Sequence, residues 1–321
     1  MPGVAPGPSF VLPMRQSLFA SIILIAFLSF RPAPAAEPDR FIPDELPAWT
    51  GLWGSAKSDL HLVGDFGSAA RFDGHTLKTL DAGTRFWISA VSGAAPDSVF
   101  AAGYNGVILH FDGRRWSPME SGATNDLNSI WAASPADVYA VGDRGTILHY
   151  DGRRWSRMNS GTQNLLFAIW GSGPKDIYAA GGRSTLLHYT GAAWDPIPLP
   201  IEGHLISLWG RAADDVFAVG DDGLILHFDG VRWGRMESGT HDVLRAVHGS
   251  SGRNVYAAGD GGALLRFDGR AWRKLSSPAP EIIRGLWATG PEDLYAVGDG
   301  RLFLHYNGTH WEDPVRSEGT P

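Results

Sequence analysis

No cysteine occurs among the 321 residues, which excludes disulfide staples, thiolate metal sites, a cysteine nucleophile and the acylated cysteine of a bacterial lipoprotein. Stability therefore rests on packing alone. Basic excess is missing too: 27 Lys and Arg stand against 34 Asp and Glu, a formal charge of -7. A phosphate backbone would meet no electrostatic footprint, so nucleic acid is not an expected partner. No apolar run reaches the ~20 residues that a spanning helix needs. Leu18 to Phe30 is a shorter apolar-rich run, preceded by Arg15 and followed by Ala33-Pro34-Ala35, which has the A-x-A form of a cleavage site. Residues 1–36 thus read as a secretory signal, with Met1 or Met14 as the start. The expected location is the periplasm or the extracellular medium, with no stable membrane insertion after cleavage. A serine-hydrolase elbow, a P-loop, a dinucleotide fingerprint and an HExxH helix are all missing as well.

What is present is glycine, 41 of them, with 13 tryptophans, spread at one interval. Gly64, Gly103, Gly142, Gly181, Gly220, Gly259 and Gly298 follow one another every 39 residues without an insertion. Ten residues after each comes another glycine, from Gly74 to Gly308, preceded by Asp in five copies. Between the two lies an aromatic in every copy, and six copies carry a following tryptophan: Trp116, Trp155, Trp194, Trp233, Trp272 and Trp311. A fixed period of this length marks a repeat architecture.

The third copy divides into four short strands, Asn128 to Ala132, Val138 to Val141, Thr146 to Tyr150 and Arg154 to Met158. Asp143-Arg144-Gly145 and Asp151-Gly152 supply tight turns, and Ala133 to Asp137 a Pro/Asp loop. Each copy is then a four-stranded antiparallel meander, the size of one propeller blade. Both faces are apolar: Val138 and Ala140 on one, Tyr139 and Val141 on the other. An antiparallel sheet normally leaves one face to water, so these sheets lie between two others, which radial stacking provides. Small residues in the second strand, Ala101, Ala140, Ala179, Ala218, Ala257 and Ala296, allow close approach near the axis. A solenoid would need polar caps, whereas Leu294 to Gly308 is as regular as the central copies. The expected fold is all-β, a seven-bladed β-propeller with four antiparallel strands per 39-residue blade. It spans residues 49–313, after a linker or blade-closing segment 37–48 in which Phe41 falls in phase with Met119, Met158 and Met236, and before a tail 314–321.

The string from Ile130-Trp131 through Val141-Gly142-Asp143 and Tyr150-Asp151-Gly152 to Trp155 resembles the repeats of photosystem-II-assembly-factor-like propellers and, more distantly, those of bacterial neuraminidases. That resemblance covers residues 50–312 and implies a seven-bladed ring in an exported bacterial protein. It implies little chemistry: the neuraminidase Asp-box S-x-D-x-G-x-T-W is not met, since Thr146 comes one residue early and no Trp follows.

His110, His149, His188, His227 and His305 recur in register, with Arg71 and Arg266 in two other copies. One histidine per blade is too widely spaced to share an ion at ~2 Å, so each is expected to bond a turn Asp or a carbonyl of its own blade. Trp131, Trp170, Trp209 and Trp287 in the first strand, like the later six, sit at fixed phases that suit packing. Asp65, Asp143, Asp221, Asp222, Asp260 and Asp299 are hairpin formers, with too few oxygens nearby for calcium. No catalytic residue, metal or cofactor is assigned. Function is expected where the copies differ, in the loops from each fourth strand to the next first strand: Arg85, Asn125, Asp126, Asn164, Glu202, His204, His241, Asp242 and Glu281, with Phe86 and Gln163 beside them. These loops crowd around one mouth of a propeller channel. The leading expectation is a monomeric, non-catalytic scaffold that recognises a protein or a glycan there. A multivalent lectin is the alternative, and a glycoside hydrolase or lyase, using Asp126, Glu202, Asp242 and Glu281, is a third.

Overall fold

The computed structural model describes residues 48–277 and 279–315, so the expected signal peptide and the blade-closing role of residues 37–47 lie outside the described residues. Seven four-stranded sheets follow one another, each made of four consecutive antiparallel strands. Their first strands are Trp49–Ala56, Ile88–Ala95, Leu127–Ser134, Leu166–Gly173, Leu205–Ala212, Leu244–Ser251 and Ile283–Gly290, which define blades 1 to 7. The last strand of blade 7 is Trp311–Glu312. The chain is the expected seven-bladed β-propeller.

Blade 3 shows how the turns set the strands. Its strands are Leu127–Ser134, Asp137–Gly142, Thr146–Tyr150 and Trp155–Met158. The first is longer than the sequence suggests, because the Pro/Asp segment narrows to a two-residue turn in which Ser134 Oγ accepts the Ala136 N–H at 3.2 Å. At the outer hairpin Asp151 Oδ1 accepts both the Arg153 and Arg154 N–H groups at 2.9 Å, and Gly152 takes φ 85°. A side-chain acceptor that replaces a backbone one, followed by a left-handed glycine, is the physical content of the repeated Asp-Gly.

Both faces of each sheet are buried against neighbours. Val138, Ala140 and Leu148 pack with Phe100 and Ile108 of blade 2, whereas Tyr139, Val141 and Ile147 pack with Ile169 and Ile177 of blade 4. The same arrangement closes the circle, since Leu60, Leu62 and Phe72 of blade 1 pack with Trp287, Tyr295 and Phe303 of blade 7. The second-strand alanines are fully buried in these interfaces. The tightest approach falls one strand nearer the axis, in the first strands. There Trp53, Trp131, Trp170, Trp209 and Trp287 each lie over a glycine of the next blade, namely Gly93, Gly171, Gly210, Gly249 and Gly54. In the other two steps both partners change: Ser92 and His248 face Ala132 and Ala288, and each side chain accepts the backbone N–H of that alanine, at 3.2 and 3.0 Å.

The histidine series belongs to this framework. His149, His188, His227 and His305 place Nε2 at 2.6–2.7 Å from Asp137, Asp176, Asp215 and Asp293 of their own blades. Each ring stacks on the aromatic of the second strand, as His149 does on Tyr139 at 4.4 Å. His110 meets Ser98 instead, at 3.3 Å, and Arg71 and Arg266 meet Asp59 and Asn254. Among the described residues no group of three or more His, Asp or Glu is arranged to hold a metal.

Candidate functional site

Two sets of loops meet at one mouth of the channel. The tip of each second-to-third-strand hairpin hydrogen-bonds to the linker that precedes the same blade: Tyr104 N–H to Trp87 O at 2.9 Å, Asp143 N–H to Asp126 O at 3.0 Å, and Asp260 N–H to Val243 O at 2.9 Å. The linkers named from the sequence therefore form only part of the rim. The hairpin tips, read above simply as turn formers, complete it.

The channel wall below has a side-chain ring that alternation along the strand conceals. Every first strand contains a β-bulge near its start; in blade 3 Gly142 faces Leu127 and Val141 faces Ser129, which leaves Asn128 as the extra residue. The same shift isolates Thr50, Phe167, Ile206, Arg245 and Arg284, and in blade 2 Ser89. A bulge re-aims a side chain, and all seven line one cavity of about 390 Å³ to which every blade contributes. Four of them make side-chain hydrogen bonds that brace the ring. Asn128 Nδ2 donates to Asp143 at 3.2 Å and to Leu166 O of the next blade at 3.0 Å, and Thr50 Oγ1 donates to Ile88 O of the next blade. Arg284 forks onto Asp299 through Nε (2.5 Å) and Nη2 (3.2 Å), and Arg245 makes the same two-point pair with Asp260. Two-point pairing fixes these guanidinium planes. Phe167 and Ile206, on blades 4 and 5, add an apolar stretch to the wall.

Burial tunes two groups here, His248 in this wall and Asp65 at a hairpin tip. His248 is held down to about 4 by desolvation, so it is neutral at physiological pH and free to accept the Ala288 N–H. Burial pushes the Asp65 carboxyl up, while the Ala48 N–H bond and the nearby Arg284 pull it back.

The residues expected at the site are spread around the rim rather than gathered. Asn125 Nδ2 donates to Thr146 at 3.1 Å and Asn164 Nδ2 to Thr185 at 2.8 Å, so both tie a linker to the following blade. Asp126 accepts the Asn105 N–H at 2.8 Å. His204 pairs with Asp221 at 2.9 Å and His241 with Asp222 at 2.7 Å, and both rings are exposed. Asp242 accepts from Thr240 at 2.6 Å. Arg85, Glu202 and Glu281 are exposed. Asp126, Glu202, Asp242 and Glu281 sit on four different linkers, and among the described residues no hydrogen bond joins any two of them.

A cluster of rings was not anticipated. Phe66, Phe86, Trp87, Tyr104, Leu165 and Val231 are the exposed large apolar residues of the described chain, and all but Val231 belong to this rim. Phe66 is 65 % exposed and Trp87 and Tyr104 each 39 %. Trp87 lies 6.4 Å from Phe66 and 5.4 Å from Tyr104, centroid to centroid, so three rings form one strip across blades 1 and 2. The signal was present in the repeat: Tyr104 stands where five copies have Asp, and Phe66 where two have Gly.

No family model matches the chain, and no curated protein matches it. Solved structures do. The chain is similar to YCF48 from Cyanidioschyzon merolae, with TM-score 0.67 and 16 % identity over 83 % of this chain and 98 % of that one. It is also similar to YCF48 bound to D1 peptide, with TM-score 0.66 and 17 % identity over 86 % and 98 %. The WD40 β-propeller domain of Doa1 superposes with TM-score 0.70 at 11 % identity over 82 % and 93 %. At these identities the likeness establishes the propeller fold, in line with the assembly-factor-like repeats.

Proposed function

We propose that this chain is an exported, non-catalytic scaffold that receives a polypeptide segment across the loop mouth of its channel. One observation carries the reading: all but one of the exposed large apolar residues among the described residues gather at that rim, while the rest of the repeat is spent on packing. Exposed rings that are not needed for the core mark an interaction surface. A peptide-bound YCF48 among the structural neighbours supports a polypeptide ligand. The lectin reading draws less support, because outer-strand tryptophans that would repeat a sugar platform are buried in clusters shared with the neighbouring blade, Trp155 with Phe100 and Ile108 of blade 2 and Trp194 with Tyr139 and Val141 of blade 3. Export follows from the apolar run and the A-x-A site of residues 18–35, and a ring closed by its own seven blades needs no second copy.

Panning a phage-displayed random dodecapeptide library on the purified protein, with Trp87→Ala as the counter-target, tests this. Peptides that bind the wild type and lose at least tenfold in affinity on the variant are expected. No enrichment, or hydrolysis of any member of a chromogenic glycoside panel, overturns it.

A further inference from the structure

The rim is uneven in charge as well as in apolar surface. Around blades 1 to 4 the tips and inner linkers carry Asp65, Asp126 and Asp143 against Arg85, Arg144 and Arg183, an even balance. Around blades 5 to 7 they carry Glu202, Asp221, Asp222, Asp242, Asp260, Glu281 and Asp299 against Arg301 and, in the channel wall, Arg245 and Arg284, a formal excess of four carboxylates, with His204 and His241 beside Asp221 and Asp222. Arg245 and Arg284, each held by two hydrogen bonds to its own aspartate, are spoken for. The acidic sector and the ring strip adjoin: Trp87 and Tyr104 line the same cavity as Arg245 and Arg284, which hold Asp260 and Asp299.

The backbone marks the same residues. Each hairpin tip requires a left-handed residue, and Gly261 and Gly300 supply it without strain in blades 6 and 7. Phe66 (φ 53°), Arg144 (φ 54°) and Arg183 (φ 55°) adopt it with side chains that disfavour it, and Asp222 (φ 51°) with one that tolerates it; all four are exposed. Their rings and charges face solvent rather than the core, so the strain secures nothing inside the blade. A phenylalanine, the least suited of these to φ > 0, lies at the end of the ring strip.

We propose that the mouth selects a partner segment in which aromatic or aliphatic side chains adjoin lysine or arginine, the apolar part seated on Phe66, Trp87 and Tyr104 and the basic part facing the carboxylates of blades 5 to 7. This rests on the polypeptide-binding reading and adds the chemistry of the ligand. Charge complementarity sets the choice: an acidic segment that covered the rings would lie beside this net excess of carboxylates, whereas a basic one offsets it, accelerating encounter and weakening as salt rises.

The composition of the dodecapeptides enriched on the wild-type protein tests it. Enrichment of Lys or Arg together with Trp, Phe or Leu is expected, with affinity falling at least fivefold between 50 and 300 mM NaCl. Phe66→Gly, which keeps the left-handed tip and so does not endanger folding, should weaken those peptides about tenfold, and Asp222→Asn with Glu281→Gln should weaken them and flatten the salt dependence. Enriched peptides that are acidic or uncharged, yet still lost on Trp87→Ala, overturn the charge assignment and leave the polypeptide-binding reading standing. An empty panning overturns both. A dimer seen by light scattering that Trp87→Ala dissolves, or binding to phosphatidylcholine vesicles that it abolishes, replaces the peptide by a second copy or a membrane and also overturns it.

Discussion

At the wall between two blades a tryptophan of one first strand lies over a glycine of the next, whereas around the mouth one tip position holds Phe, Asn, Arg, Asp or Gly. The wall changes in pairs. Where Ser92 and His248 replace tryptophan, Ala132 and Ala288 replace glycine, because the space under a shorter side chain admits a Cβ and the vacated surface offers a hydrogen bond instead. The rim varies more freely: Phe66, Arg144 and Asp222 occupy one position in three tips, and among the described residues only Asp222 of the three has a side-chain hydrogen-bond partner, His241 of the next linker at 2.7 Å. Paired change is what close packing demands, and freer change at an exposed, strained position is what recognition allows.

The wall is broken most severely by removing an interface ring. Trp155, 9 % exposed, lies 5.4 Å from Tyr150, centroid to centroid, in the core cluster that blades 2 and 3 share; Trp155→Ala should cost ~3–5 kcal/mol, seen as a lowered denaturant midpoint. An unchanged midpoint contradicts its place in the core.

A second test uses pH. His61 is fully buried between Trp53, Phe111 and Trp116, where other copies place Phe100 or Tyr139, and its pKa is held down to about 4, chiefly by desolvation, with Asp59 opposing and Arg71 assisting. The unfolded chain binds this proton near pH 6.5, the folded chain only near 4. Stability is therefore full above pH 6.5 and is lost as pH falls from there towards 4, by up to about 3 kcal/mol. His248 contributes in the same direction. His61→Phe should remove its share of the slope, measured as chemical unfolding at pH 7 and pH 4.5. An equal slope in the variant refutes the assignment.

The coupled pair gives the third test. A Cβ on Gly210 would stand 2.4 Å from the Trp170 ring, so Gly210→Ala should cost ~1–3 kcal/mol by overpacking. Adding Trp170→Ser recreates the Ser92 and Ala132 step, and the double variant should be more stable than the sum of the two single effects by at least ~1 kcal/mol. Simple additivity removes the argument for paired change.

The blades were readable in the sequence because their turns announce themselves: Asp151-Gly152 and its counterparts set the period, and the alternation from Val138 to Val141 shows two buried faces. The rim was half readable. The linkers were placed at the mouth, but two of their polar residues, Asn125 and Asn164, brace the neighbouring blade, and the hairpin tips that complete the rim were taken for turns alone. The channel ring was hidden for a physical reason. Residues such as Asn128, Phe167 and Arg284 are the extra residues of bulges, and a bulge breaks the two-residue rhythm from which facing is inferred. That the tips require φ > 0 was legible in Asp143-Arg144-Gly145 and its counterparts, but not that the middle residue shares it with the glycine. With no glycine at Phe66, nothing in the string says that its backbone is left-handed.

The smallest expected effect separates rim from wall by its sign. Replacing a buried wall residue lowers stability, but Phe66→Gly removes a ring that buries little and relieves a left-handed phenylalanine. Part of that relief is offset by the extra freedom of glycine in the unfolded chain, which leaves a net gain of about 0.5–1 kcal/mol. Arg144→Gly should follow the same course, since Arg144 is exposed at φ 54° on the next rim but one. Thermal unfolding of both variants beside the wild type reads this directly. If either substitution destabilises the protein, its side chain is holding the tip in place, and the strain at the mouth loses its connection with binding.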